Sequence, residues 1–291
     1  MIELLDVGDK VELGRYRLHC RFRQALVFAL ESPGESRLPL ACVVEENKGR
    51  GPVNVGVGSL SAIGSDSMEV GPSRLVLGET VLDIENRYDS SLGRAAANPE
   101  SFERNLRAFE RVLLESSSKM SLACLLDEGR RRNFTSPFEK EFLRSISSGV
   151  ERFLSGELEE GALAIKGLGF GLTPSGDDFL AGFLLGLHDL QAGSGANLSA
   201  EISAVSRVAG SENPIARQFL LCAAQGRFFE RAKTLVLSLL AGEATTAAGD
   251  ARRLLEMGES SGADLATGLL LALKSYRPWK APAGPGPAVL N

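Results

Sequence analysis

Residues 167–187 read GLGFGLTPSGDDFLAGFLLGL. The first half is a glycine run and the second is apolar on nearly every side of a helical wheel. A helix of that kind must be buried all round, so the chain near it has to supply a shell of further helices. Helical spacing does extend outward from this stretch, over 99–116, 136–154, 178–191, 199–209, 214–226, 228–241, 246–256 and 262–275. Asn98-Pro99-Glu100 is a start signal, with Asn as N-cap, Pro at the first helical position and an acid in the first turn.

Before residue 95 the character changes. Runs 16–22, 25–30, 38–44, 53–57 and 75–84 are short and rich in Val, Leu and Ile, and PGES, KGRGP and VGPS punctuate them. Strands at this spacing, with no helix between them, predict an antiparallel sheet or small barrel. The expected fold class is α+β: a β-rich domain over 1–95, a helical domain over 96–280 carrying the TPSGDD loop, and a flexible Pro/Gly-rich tail over 281–291.

Composition narrows the function classes. The 291 residues are 44% hydrophobic and 24% charged, as in ordinary globular proteins. A net charge of −5 argues against a nucleic-acid partner, and the basic run Arg130-Arg131-Arg132 reads as a solvated helix end. Cys20, Cys42, Cys124 and Cys222 form no CxxC pair and lie near no histidine at metal-ligand spacing. No apolar h-region opens the chain and no apolar run reaches bilayer length, so a cytoplasmic protein with reduced thiols is expected. His19 and His188 are the two histidines. The first falls in a strand-like run and the second reads as a cationic cap at a helix end, so a catalytic histidine is not expected.

Gly167, Gly169, Gly171 and Gly176 permit backbone angles that side chains resist. Their loop feeds a helix start, and together these predict an anion site. It is not a nucleotide loop. The dinucleotide fingerprint fails at Leu172, and the P-loop pattern needs Lys and Ser/Thr where Asp177 and Asp178 stand. Ser175 and Asp178 have capping-box spacing. Asp177 has no role in capping, which makes it the leading catalytic candidate, with Asp178 beside it. Adjacent acids at a buried helix start coordinate a cation, accept protons or orient a polar substrate.

The motif has an echo. SGDDFLAGFLLGL (175–187) and SGADLATGLLLAL (261–273) share seven of thirteen positions: Ser, two Gly, Asp and three Leu. Two helices that start alike and share a glycine face are expected to converge on one site, with Ser260, Ser261 and Asp264 as supporting residues. Ala263 replaces Asp177 in the second copy, which points to the first as the ligand-handling one. Asn213 reads as an N-cap before Pro214, Arg217 as a possible partner for an anion or a surface acid, and Gly51-Pro52-x-Asn54 as a turn.

The pattern of Gly169, Gly171, Leu172, Thr173, Pro174, Ser175, Gly176, Asp177, Asp178 and Gly182, with Ser261, Gly262, Asp264 and Gly268, resembles the AllH-like family. That resemblance implies a subunit of oxamate carbamoyltransferase acting with partner proteins in allantoin and purine breakdown. The reaction moves a carbamoyl group between oxalurate and phosphate, giving oxamate and carbamoyl phosphate. The resemblance carries over no catalytic residues; the reading of the residues themselves has Gly169, Gly171, Thr173, Ser175, Gly176, Arg217, Ser261 and Asp264 bind the anionic substrate, and Asp177 and Asp178 do the chemistry. The Ser-Thr-Arg-Thr motif of aspartate and ornithine carbamoyltransferases is missing from the sequence. Two alternatives stay open: a stand-alone metal-dependent hydrolase holding Mg2+ on Asp177 and Asp178, and a non-catalytic anion-binding scaffold subunit.

Overall fold

In β2 (Gly14–Arg21) Tyr16 is buried while Arg15, Arg17, His19 and Arg21 face outward. This period-two pattern gives one face to a core. The computed structural model describes residues 2–31, 39–93, 98–208 and 210–276. The expected tail over 281–291 and the expected boundary at residue 95 lie outside them. The chain is α+β and divides into two compact units, Met1–Ser91 with Arg227–Glu230, and Leu92–Gly226 with Arg231–Asn291.

The first unit is built on a nine-stranded sheet with the order β8-β7-β6-β2-β3-β4-β5-β1-β9. Its other strands are β1 (Leu4–Gly8), β3 (Ala25–Leu30), β4 (Leu40–Glu45), β5 (Asn54–Val57), β6 (Ser67–Val70), β7 (Arg74–Leu77), β8 (Thr80–Asp83) and β9 (Arg87–Tyr88). Tyr16, Phe28, Val43, Val55 and Leu75 are among its core residues. The expected antiparallel pairing holds for most of the sheet, with two exceptions. β4 runs parallel to β5, and β1 parallel to β9. β8 and β9 end the order without pairing among the described residues, so the sheet does not close into a barrel. The single run 75–84 is a hairpin, turned at Gly78 with φ of +62°. β1, β6 and β9 were too short, or too polar on one face, to stand out. Asn54 opens β5 and donates to Gly49 O at 3.1 Å, so the GPVN stretch is turn chemistry. Arg227–Glu230 joins this unit through Phe228 N–H to Ser90 O (2.9 Å) and Tyr88 OH to Phe228 O (2.9 Å).

The helices of the second unit are α1 (Pro99–Ser116), α2 (Pro137–Leu154), α3 (Leu158–Ile165), α4 (Ser175–Ser194), α5 (Ser199–Arg207), α6 (Pro214–Ala224), α7 (Glu230–Ala241), α8 (Ala244–Leu255) and α9 (Ser261–Ser275). Asn98 caps α1 by accepting from the N–H groups of Glu100 and Ser101, as its sequence signal predicts. The short α3 was not foreseen. Its interior Gly161 reads as a break, yet a Cβ there would stand 2.4 Å from the Phe153 backbone, so the glycine lets α3 lie against α2.

Two further readings need correcting. Arg130 does not end in solvent: it donates to the carbonyls of Leu114, Ser117 and Ser118 and so closes the end of α1. His188 is not a cationic cap. α4 runs on to Ser194 and ends at Gly195 in the left-handed region, while burial lowers the His188 pKa and keeps the ring neutral.

Candidate functional site

α4 is wholly buried along most of its length, as its composition demands. It packs on α9 at backbone distance. A Cβ on Gly182 would lie 1.9 Å from Leu265 O, and one on Gly268 would lie 2.0 Å from Phe179 O. The repeated glycine therefore exists because two helix backbones touch there. This contact brings the first turns of α4 and α9 together.

The predicted capping box does not form. Pro174, not Ser175, occupies the N-cap of α4, and no side chain caps it. In α9 the N-cap is Ser260, again without a side-chain cap. A genuine capping box closes α2, where Ser136 and Glu139 satisfy each other's backbone. Asp178 is one methylene shorter than that Glu, and Thr173 occupies it instead: Thr173 Oγ1 donates to Asp178 Oδ2 at 2.8 Å. Thr173 Oγ1 also lies 2.8 Å from Ser261 Oγ.

The two copies are crossed. Ser261 of the second helix lowers the pKa of Asp178 on the first, and Ser175 of the first helix and Ser260 lower that of Asp264. Asp264 is fully buried, and its Oδ1 accepts the Leu122 N–H at 2.6 Å from a short 3-10 turn at Leu122–Leu125. Burial pushes its pKa up to about 7, against the pull of the Leu122 N–H and the two hydroxyls. Asp178 is part-buried and held well above the usual carboxylate range, by burial first and by the Asp264 charge second.

Asp177 has a different task. It is 2% exposed, and its Oδ1 accepts the Gly167 N–H at 2.8 Å, ten residues upstream. It thereby fixes the start of the glycine loop. Its Oδ2 is buried without a partner. At the far end Asn213, the N-cap of α6, donates its amide N–H to Leu172 O at 2.7 Å. The loop is tied at both ends.

Between the ties the backbone is unusual. Gly167, Gly169 and Gly171 have φ of +73°, +137° and +92°. Among the described residues no side-chain-bearing residue has positive φ, so φ changes sign at every step from 167 to 171. Alternating signs of φ are the pattern in which successive N–H groups can share one side, as they do in anion nests. The N–H groups of Gly169, Phe170, Gly171 and Leu172 donate to no protein acceptor among the described residues. The helix start itself is less available than the sequence implies. Gly176 N–H is taken by Leu168 O at 2.8 Å, and those of Asp177 and Asp178 by Pro174 O. Gly176 is glycine for this approach, since a Cβ would lie 1.8 Å from Ile165 O.

Arg217 stands apart from the acid cluster's hydrogen bonds. Its Nε donates to Ser211 O at 2.6 Å and its Nη2 to Glu212 O at 3.3 Å, which fastens the loop before α6. For a metal, Asp177 and Asp178 each have one oxygen already bonded within the protein. Among the described residues no group of three or more His, Cys, Asp or Glu is disposed to hold a cation.

Sequence reasoning missed the second hydrogen bond of Asn213, the Leu122 turn under Asp264, and Phe170. Phe170 leaves the loop to pack against Phe142 (4.8 Å between centroids) and Phe138 (5.4 Å). The Phe138 and Phe142 spacing of four on α2 was the available signal.

No curated protein and no solved structure matches the chain. Residues 165–273, the span from the glycine loop through the second helix start, match the family model described as oxamate carbamoyltransferase subunit AllH.

Proposed function

We propose that this protein is a subunit of an oxamate carbamoyltransferase, assembled with other subunits, and that its glycine loop binds the anionic substrate. The observation that carries this reading is the run of unbonded N–H groups at Gly169–Leu172, tied at both ends and lying beside Asp178. Family likeness over 165–273 supports the same assignment.

In the proposed step a phosphate oxygen attacks the carbamoyl carbon of oxalurate. The bond from that carbon to the oxamate nitrogen breaks, and the nitrogen takes up a proton. Backbone donors in the loop stabilise the oxyanion that develops on the carbonyl. Asp178, whose carboxyl is held above the usual carboxylate range by burial and by the Asp264 charge, delivers the proton to the leaving nitrogen. Thr173 and Ser261 hold its carboxyl. Asp177 acts through the loop rather than on the substrate.

The test is carbamoyl phosphate formation from oxalurate and phosphate by the chain combined with the products of its neighbouring genes. Asp178→Asn should lower the rate by about 10²–10⁴, the usual contribution of a general acid. A fully assembled enzyme that is inactive, or one indifferent to this substitution, overturns the assignment.

A further inference from the structure

A second concave surface lies in the helical unit, between the 3-10 turn Glu128–Asn133 and one face of α2. It is an open depression of about 680 Å³. Lys140, Arg144, Ser147, Ser148 and Glu151 recur at three- and four-residue spacing, so they share the α2 face that lines it. Arg131 and Arg132 come from the turn. Four cations thus surround one carboxylate, Glu151, in a protein whose net charge is −5.

Only one of these four cations is closely neutralised from within. Arg144 meets Glu141 at 2.6 Å on the outer surface, and Arg131 only approaches Glu128 at 3.9 Å. Arg132 and Lys140 make no ion pair among the described residues. Arg131 Nε is buried and has no acceptor among the described residues. Like charges facing one another across a concavity repel, and a multiply charged anion removes that repulsion. Guanidinium groups match phosphate oxygens in pairs. The cleft is far too large for inorganic phosphate alone and falls within the range of organic ligand sites. Phe134 supplies an apolar wall.

We propose that this cleft binds a phosphorylated small molecule of nucleotide size, and that it is distinct from the glycine-loop site. The proposal does not depend on the reaction assigned above. The two places are physically linked. Phe134 stacks on Phe142 at 6.1 Å, and Phe142 packs on Phe170 of the loop at 4.8 Å. The cleft's Arg131 and the site's Asp264 also act electrostatically on the same buried thiol, Cys124. An occupant of the cleft is therefore positioned to bias the loop through three aromatic rings.

Isothermal titration of the full chain with ADP, and separately with pyrophosphate, tests the proposal. ADP should bind at one site with an affinity that falls as salt rises. The double variant Arg132→Glu/Lys140→Glu, with an unchanged Tm, should bind at least about tenfold more weakly, one lost charge-assisted contact being on the order of tenfold. Asn213→Ala, which frees the glycine loop from its tie and leaves the cleft untouched, should bind ADP as the parent does. If neither probe binds at millimolar concentration, or binding ignores the charge reversals, the proposal fails. It also fails if an acidic subunit of the assembly occupies the cleft and ADP cannot displace it.

Discussion

Asn213 uses both ends of its amide. Its Oδ1 accepts the N–H groups of Ile215 and Ala216, and its Nδ2 holds Leu172 O. One residue therefore starts α6 and pins the glycine loop. Replacing it with Ala should cost about 1 kcal/mol of stability from the cap alone. A second effect should appear beside that loss: weaker phosphate binding at the loop. Asn213→Ser keeps a capping oxygen and drops the amide donor. It should restore most of the stability while leaving phosphate binding weak. If both variants bind phosphate as tightly as the parent, the tie to Leu172 has no role in shaping the loop. Asp177 and Asp178 divide labour in the same way. Adjacent in sequence, they face opposite demands: one is bonded to a backbone N–H at the loop's start, the other to the Thr173 hydroxyl, which in turn meets Ser261 at the helix junction.

At the scale of elements, the pairing of α4 with α9 depends on hydrogen atoms where other residues carry carbon. Gly182→Ala or Gly268→Ala would force the backbones apart, an overpacking cost of about 1–3 kcal/mol. For a unit of this size that lowers Tm by roughly 3–10 °C. Gly249→Ala in α8, where an added Cβ meets nothing within 4 Å, is the control and should raise stability slightly. Equal effects at all three positions would deny the close approach any special weight. Much of this pairing was legible in the sequence. The repeated Ser-Gly-x-Asp and the glycine four residues later mark both helix starts, and Asn-Pro marks α1 and α6. The functions of the polar residues were less legible. Capping is decided by which residue leaves the helical path, and Pro174 displaces Ser175 by one position, leaving its hydroxyl inside the helix beside Asp264. The partner of Asp177 is a main-chain group, and main-chain groups have no letter in a sequence. The Leu122 turn and the cationic cleft are invisible for a related reason. They are assembled from segments whose local patterns say only "short turn" and "charged helix face".

For the molecule as a whole, buried carboxyl groups make stability depend on pH. Burial raises Asp189 to about 8 and Asp264 to about 7. In the unfolded chain both titrate near about 3.9. Between those values the folded state binds more protons than the unfolded one, so stability is greatest at the acid end and falls as pH rises. The slope reaches about 1.4 kcal/mol per pH unit for each group. Tm should therefore decline from pH 5 to pH 8. Asp189→Asn, which removes a charge whose Oδ2 has no partner, should flatten the decline between pH 7 and 8. A variant that keeps the parent slope in a melting series would clear Asp189 of responsibility.

The crossed contacts at the two helix starts also bear on how the protein is made. Thr173 meets Ser261 across 88 residues, and the Leu122 N–H meets Asp264 across 142. Such long-range closures come late, because the intervening chain must first lose its freedom. A nascent chain emerging from the ribosome holds its entire glycine loop long before α9 exists, yet has no second hydroxyl beside Asp178 until α9 docks. The loop alone is therefore an unfinished site, and it becomes complete only when two segments far apart in the chain have met.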